Sequence, residues 1–112
     1  MKTHFIRLHP APYEAVSSGR KTIESRLFDD KRCQIELGDQ LVFESRQNPR
    51  DTTTALVTGL LRYRRFADLF QQNDPIKFGG SDADMLLREI RQFYTEADEA
   101  EYGVVGIVFE RL

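Results

Sequence analysis

One cysteine, Cys33, stands among 112 residues, so no intrachain disulfide can form, and no Cys and His spacing has the pattern of a structural zinc site. The fold must rest on packing. No window approaches the roughly 18 consecutive apolar residues of a membrane-spanning helix. The opening MKTHFIRLHPAP alternates polar and apolar residues where a secretory signal has an apolar run. No membrane partner and a reducing, cytoplasmic location are therefore the expectations. Repeats, linkers and low-complexity stretches are also missing, which leaves one domain over residues 1–112. A chain of this length buries roughly two-thirds of its extended surface, enough for a single core.

Neither sign of charge dominates: 16 Lys and Arg stand against 18 Asp and Glu, a net charge of −2. Binding along a duplex neutralises phosphates with a basic excess, so duplex DNA is not an expected partner. The distribution is uneven, however. Residues 1–50 hold 9 basic and 7 acidic side chains, and residues 51–112 hold 7 and 11. Glu96, Asp98, Glu99 and Glu101 sit together in TEADEAE, a helical turn that Thr95 can cap. Outside it the chain is slightly basic. Arg62, Arg64 and Arg65 cluster near one strand end, and Arg46 and Arg50 flank Asn48-Pro49; solubilising and phosphate-binding roles are both open.

THFIRL (3–8) alternates as a short strand, and PAPYEAVSSG suits a helix with Pro12 in its first turn and Gly19 as C-terminal cap. A second strand is expected from about residue 21. QIELGDQLVFES and TTTALVTGLLRYR supply two more, joined around Asn48-Pro49. FADLFQQ reads as a short helix. SDADMLLREIRQFY reads as an amphipathic one, with Ser81 and Asp84 resembling a capping box and Leu86, Ile90 and Phe93 forming its apolar stripe. GVVGIVFERL, apolar through Phe109, is expected to be a central strand covered on both faces, with Gly106 at a bulge or close backbone approach. The fold class is α+β, mainly β: a small closed or half-closed barrel of about five or six strands with flanking short helices.

The densest chemistry is GRKTIESRLFDDKR (19–32), with Lys21, Glu24 and Arg26 at the mouth of a strand. With the leading strand and Tyr13, the Gly38-Asp39 turn before Leu41 and Phe43, and the closing YGVVGI (102–107), this resembles the ASCH domain family of the PUA-like superfamily. The resemblance covers essentially the whole chain, and G-x-K-T-I-E-x-R is its most specific part. It implies a PUA-like barrel with a cleft beside the helix between the first two strands, a site for single-stranded RNA or a modified nucleoside, with no cofactor. Lys21 then offers a mobile cation, Arg26 a planar fork, and Glu24 an acceptor for an amine or hydroxyl. Tyr13 and Tyr63 are candidates for stacking on a base.

Some relatives resemble amidohydrolases of acetylated cytidine that use a Lys, a Thr three residues on and a late-helix Glu. Lys21 matches; Glu24 stands at the Thr position and Met85 at the Glu position. That activity therefore does not transfer. Others resemble single-strand ribonucleases, for which Lys21 and Glu24 would be the catalytic pair, Glu24 acting as base with Lys21 and Arg26 stabilising charge. A protein-interaction module is the third alternative.

Strict alternation puts Glu24 and Arg26 on one face and Lys21 on the other, so a shared site demands a turn or bulge near Thr22. Without one, Glu24 and Arg26 are an ion pair closing the barrel end. Asp29 to Arg32 read as a solvated turn, His4 and His9 as structural histidines, Cys33 as a small buried residue, and Tyr94 and Tyr102 as packing positions. No carboxylates have magnesium-binding spacing.

Overall fold

In the computed structural model, which describes residues 1–112, the opening alternation gives strand β1 (Thr3–Leu8), followed by helix α1 (Pro10–Ser17). Prolines occupy the first turn of α1, where a missing N–H leaves no bond unmade. Gly19 follows with φ of 85°, a left-handed conformation that suits glycine at a helix end. The remaining elements are β2 (Ile23–Leu27), β3 (Gln40–Ser45), β4 (Thr52–Tyr63), α2 (Phe66–Gln71), α3 (Ala83–Ile90), α4 (Glu96–Tyr102) and β5 (Val104–Arg111). Short 3-10 turns cover Arg32–Gln34 and Pro75–Phe78. None of the helices is long and apolar enough to cross a membrane.

The five strands form one sheet in the order β1-β3-β4-β5-β2, with β1 parallel to β3 and every other pair antiparallel. The sheet curls into a half-barrel whose two edge strands, β1 and β2, face each other across an open seam. No ladder closes that seam. One bond spans it, from Arg26 Nη2 to the Arg7 carbonyl at 3.4 Å.

Strand β5 lies inside the sheet and is covered on both faces, as its nearly continuous apolar sequence predicts. Val105, Ile107 and Phe109 enter the barrel core with Ile6, Leu41, Phe43 and Val57. Val104 and Val108 turn the other way, toward a second core in which Ile23 and Leu27 pack against Phe66, Leu69, Phe70, Phe78 and Leu86. Gly106 marks a close approach: a Cβ there would lie 2.9 Å from Leu69 Cδ1 and 3.2 Å from Ile23 Cγ2. The bulge lies elsewhere, on β4 opposite Val108 and Phe109, where the register shifts between Val57 and Gly59.

Several local expectations shift. Strand β2 starts at Ile23, not residue 21, because the Lys21 N–H donates to the Ala15 carbonyl and the Thr22 N–H to the Lys77 carbonyl. Helix α3 is capped by Asp82, whose carboxylate accepts from the Met85 N–H at 2.8 Å; Ser81 turns its hydroxyl to the Met85 sulfur instead. Thr95 and Asp98 form the reciprocal capping box of α4. Cys33 is exposed, not buried: its 3-10 turn holds it at the surface, with Sγ donating to the Asp30 carbonyl. Tyr102 is 40% exposed and is not a core position.

Candidate functional site

The seam carries the motif. Glu24 and Arg26 sit opposite Ile107 and Val105 of β5, so both project from the barrel-core face of β2, where the other strands place hydrocarbon. A carboxylate there needs partners. Lys21 Nζ lies 2.6 Å from Glu24 Oε1, and Arg26 Nε lies 2.8 Å from Oε2. The turn demanded near Thr22 is present: Lys21 and Thr22 leave the strand path, held between the end of α1 and the Pro75–Phe78 turn. All three side chains thus converge, each mostly buried, with exposures of 12% for Lys21, 4% for Glu24 and 16% for Arg26.

Burial alone would raise the Glu24 carboxyl, but Lys21 and then Arg26 outweigh it and hold it at about 2. For Arg26 burial opposes the charge, and Glu24, followed by the Tyr94 hydroxyl, more than offsets it, so the guanidinium is held above its ordinary value. The Arg26 fork therefore has fixed partners on two sides. Elsewhere Asp39 accepts from the Lys2 N–H, His4 and the Glu36 N–H, which hold it well below the usual carboxylate range. That cluster makes His4 structural and ties the N-terminus to the turn before β3.

Beside the trio lies a cleft of about 340 Å³, at the lower end of the roughly 300–1,000 Å³ common for small-ligand sites. Its walls include Phe70, Phe78, Leu86 and Ile90, and its mouth includes His9, Phe93 and Tyr94. The His9 and Phe93 rings stack with centroids 5.8 Å apart, and Tyr94 stacks on Phe66 at 5.7 Å. Four cations line the cleft, Arg7, Lys21, Arg26 and Arg46, against two carboxylates, Glu24 and Glu89. In a chain of net charge −2 this is a local positive excess.

The two tyrosines singled out from the sequence lie outside the residues lining this cleft. Tyr13 packs against the barrel core and its hydroxyl pairs with Thr53 Oγ1 at 3.0 Å. Tyr63 packs on the second core, with Asn73 donating to its hydroxyl at 3.4 Å. The aromatic lining comes instead from His9, Phe70, Phe78, Phe93 and Tyr94. Of these Phe93 carried a signal: it ends the apolar stripe yet is 59% exposed. Met85 is also outside the lining, whereas Glu89, one turn further along α3, belongs to it. The Arg62–Arg65 cluster sits elsewhere. Arg62 stacks on Phe28 at 3.2 Å, and Arg64 and Arg65 line a separate cleft with Arg91, Glu96 and Glu99. Asp29 and Arg32 pair at 2.9 Å within their own turn. No three His, Cys, Asp or Glu side chains gather closely enough to hold a metal ion.

The ASCH domain profile matches residues 6–112. The chain belongs to the ASCH domain family. The curled five-stranded sheet with flanking helices is the mixed, mainly β, PUA-like arrangement expected of it. Among solved structures, this ASCH domain is similar to the hypothetical protein PH0355, with 32% identity, a TM-score of 0.85 and full coverage of both chains. It is also similar to protein PF0455 from Pyrococcus furiosus, with 28% identity, a TM-score of 0.74 and coverage of 100% of this chain and 98% of that one. The ASCH protein from Zymomonas mobilis shares the fold, with 15% identity, a TM-score of 0.67 and coverage of 97% of this chain and 67% of that one. No curated protein sequence matches the chain.

Proposed function

We propose that this ASCH domain binds single-stranded RNA or a modified nucleoside, in a cytoplasmic setting, with the seam cleft as its recognition site. The observation that carries this reading is the convergence of Lys21, Glu24 and Arg26 on one concave pocket with aromatic residues at its mouth. A flat ring can stack at His9, Phe93 and Tyr94, while the inner trio presents fixed donors and acceptors to a base edge or a ribose hydroxyl. The volume supports one nucleoside unit in the cleft, and the positive excess of its lining supports a polyanion running past its mouth.

The same geometry weighs against an enzyme that uses Glu24 as its base. A general base works best with a pKa near the operating pH, and a carboxyl held at about 2 by two cations takes up a proton poorly near neutrality. A hydrolase at this cleft would need another base; Glu89 and His9 are the other carboxylate and the imidazole of its lining.

An NMR titration with a mixed-sequence single-stranded RNA hexamer and with modified ribonucleosides tests the binding reading. Resonances of Lys21, Glu24, Arg26, Phe93 and Tyr94 are expected to move first. Shifts confined to Arg64 and Arg65, or no shifts, refute it. Raising salt weakens a phosphate-dominated complex steeply and leaves a neutral nucleoside nearly unaffected.

A further inference from the structure

We propose that the cleft takes a phosphate-bearing ligand whose phosphate is held by Arg46, while the motif cations Lys21 and Arg26 are committed inward. This rests on the reading of the cleft as a nucleoside or RNA site. The motif supplies the obvious positive charge, yet its two cations share one buried carboxylate at 2.6 and 2.8 Å, and Arg26 also bonds the Arg7 carbonyl. One donor of Lys21 and two of Arg26 are engaged there, and Glu24 offsets one of the two positive charges. Arg7 lies 3.6 Å from Glu44. Arg46 is the remaining cation of the lining, and its exposed guanidinium makes no ion pair and no side-chain hydrogen bond.

The fold brings Arg46 to this place. Ser45 ends β3 in register with Leu8 of the parallel strand β1, and the Arg46 N–H donates to the Leu8 carbonyl at 2.8 Å. The next residue of that chain is His9, at the aromatic mouth. The turn that follows is internally bonded: Ser45 Oγ accepts from the Asn48 N–H, Asn48 Oδ1 from the Arg50 N–H, and the Asp51 carbonyl from the Ser45 N–H. A fixed backbone thus places an unpaired planar fork beside a stacking platform. That combination suits a phosphate attached to a stacked nucleoside, because guanidinium reads phosphate with paired donors.

Arg50 provides a charge-matched control. It lies in the same turn and is also exposed, but it does not line the cleft. Arg46→Gln and Arg50→Gln lower the net charge equally, and neither removes a buried contact. Calorimetry and NMR would compare wild type and both variants against the four ribonucleosides, their 5′-monophosphates and a mixed-sequence single-stranded RNA hexamer. Wild type is expected to bind a monophosphate or the hexamer about tenfold more tightly than the nucleoside, and R46Q to erase that preference, consistent with loss of one charge-assisted contact. The salt slope of hexamer binding should fall by about 0.7 in R46Q, the value for one phosphate on a single strand. R50Q should keep both the preference and most of the slope. A preference confined to the hexamer supports a diester at Arg46; one shared by the monophosphates supports a monoester as well.

Equal affinity for nucleoside, monophosphate and hexamer in wild type, with cleft resonances shifting in all three, overturns the phosphate assignment and leaves the nucleoside reading standing. Equal losses in R46Q and R50Q overturn it too, since diffuse charge then suffices. No shift at the cleft with any of these probes removes both readings.

Discussion

Replacing Glu24 with Gln keeps the shape of the side chain and removes the charge that Lys21 and Arg26 share. Two mostly buried cations would then face one another without a carboxylate. Breaking a buried pair by removing one partner typically costs about 3–5 kcal/mol. Linkage gives an independent figure: a carboxyl moved from 4.5 to about 2 contributes about 3 kcal/mol at roughly 1.4 kcal/mol per pH unit. Because the folded value is depressed, this contribution is fully present above pH 4.5 and is lost progressively as pH falls toward about 2. Urea denaturation of wild type and Glu24→Gln across that range measures it. The stability gap should be about 3 kcal/mol at neutral pH, should begin to shrink below pH 4.5 and should close as pH falls toward about 2, where the folded wild type becomes a neutral acid isosteric with the amide. All other carboxylates titrate in both proteins and cancel. A gap that stays constant with pH, or that is below about 1 kcal/mol at neutrality, would refute a buried, ionised Glu24.

Three further outcomes follow from the packing. Arg26→Lys keeps the charge but loses the fork that holds Glu24 and reaches the Arg7 carbonyl; a loss of about 1–2 kcal/mol in urea unfolding and faster amide exchange at the β1 end are expected. Gly106→Ala should cost about 1–3 kcal/mol in thermal unfolding, because its Cβ would sit 2.9 Å from Leu69 Cδ1 inside the second core. Phe93→Ala, at a residue 59% exposed, should change stability by less than about 0.5 kcal/mol. Its RNA affinity should fall by about 1–3 kcal/mol, read by calorimetry with the hexamer, if Phe93 stacks on a base.

The strands were legible because their alternation is local: β1, β3 and β5 follow directly from the placement of Ile6, Leu41, Phe43 and the Val104–Phe109 run. The Thr95 cap of α4 was legible for the same reason, though its reciprocal bond with Asp98 was not read. The motif was legible as chemistry but not as geometry, since period-two alternation separates Lys21 from Glu24. What unites them is a pair of backbone bonds, to Ala15 and to Lys77, the second 55 residues beyond Thr22. The partner residues were harder still. Tyr13 was a candidate for stacking on a base, yet the helix that carries it turns it onto the barrel core. Arg46 reaches the cleft through the parallel pairing of β1 with β3, a long-range contact with no local trace.

A half-barrel with unladdered edges has a structural need at its seam, and this bears on how the motif is read. The Lys21, Glu24 and Arg26 trio meets that need: it neutralises a carboxylate on the core face of β2 and carries the bond across to β1. The ion-pair reading and the binding reading are therefore two aspects of one arrangement, and loss of binding in a trio variant cannot separate them. Separation has to come from residues that line the cleft without supporting the seam. Phe93 and Arg46 are such residues, both exposed and neither part of a core cluster. If the cleft is only a by-product of an unclosed sheet, substituting them leaves every ligand affinity unchanged. If it is a site, they lose affinity while the urea midpoint stays fixed. Net charge is silent on this point, because the acidic surplus lies largely in α4, while the seam lining carries four cations against two carboxylates.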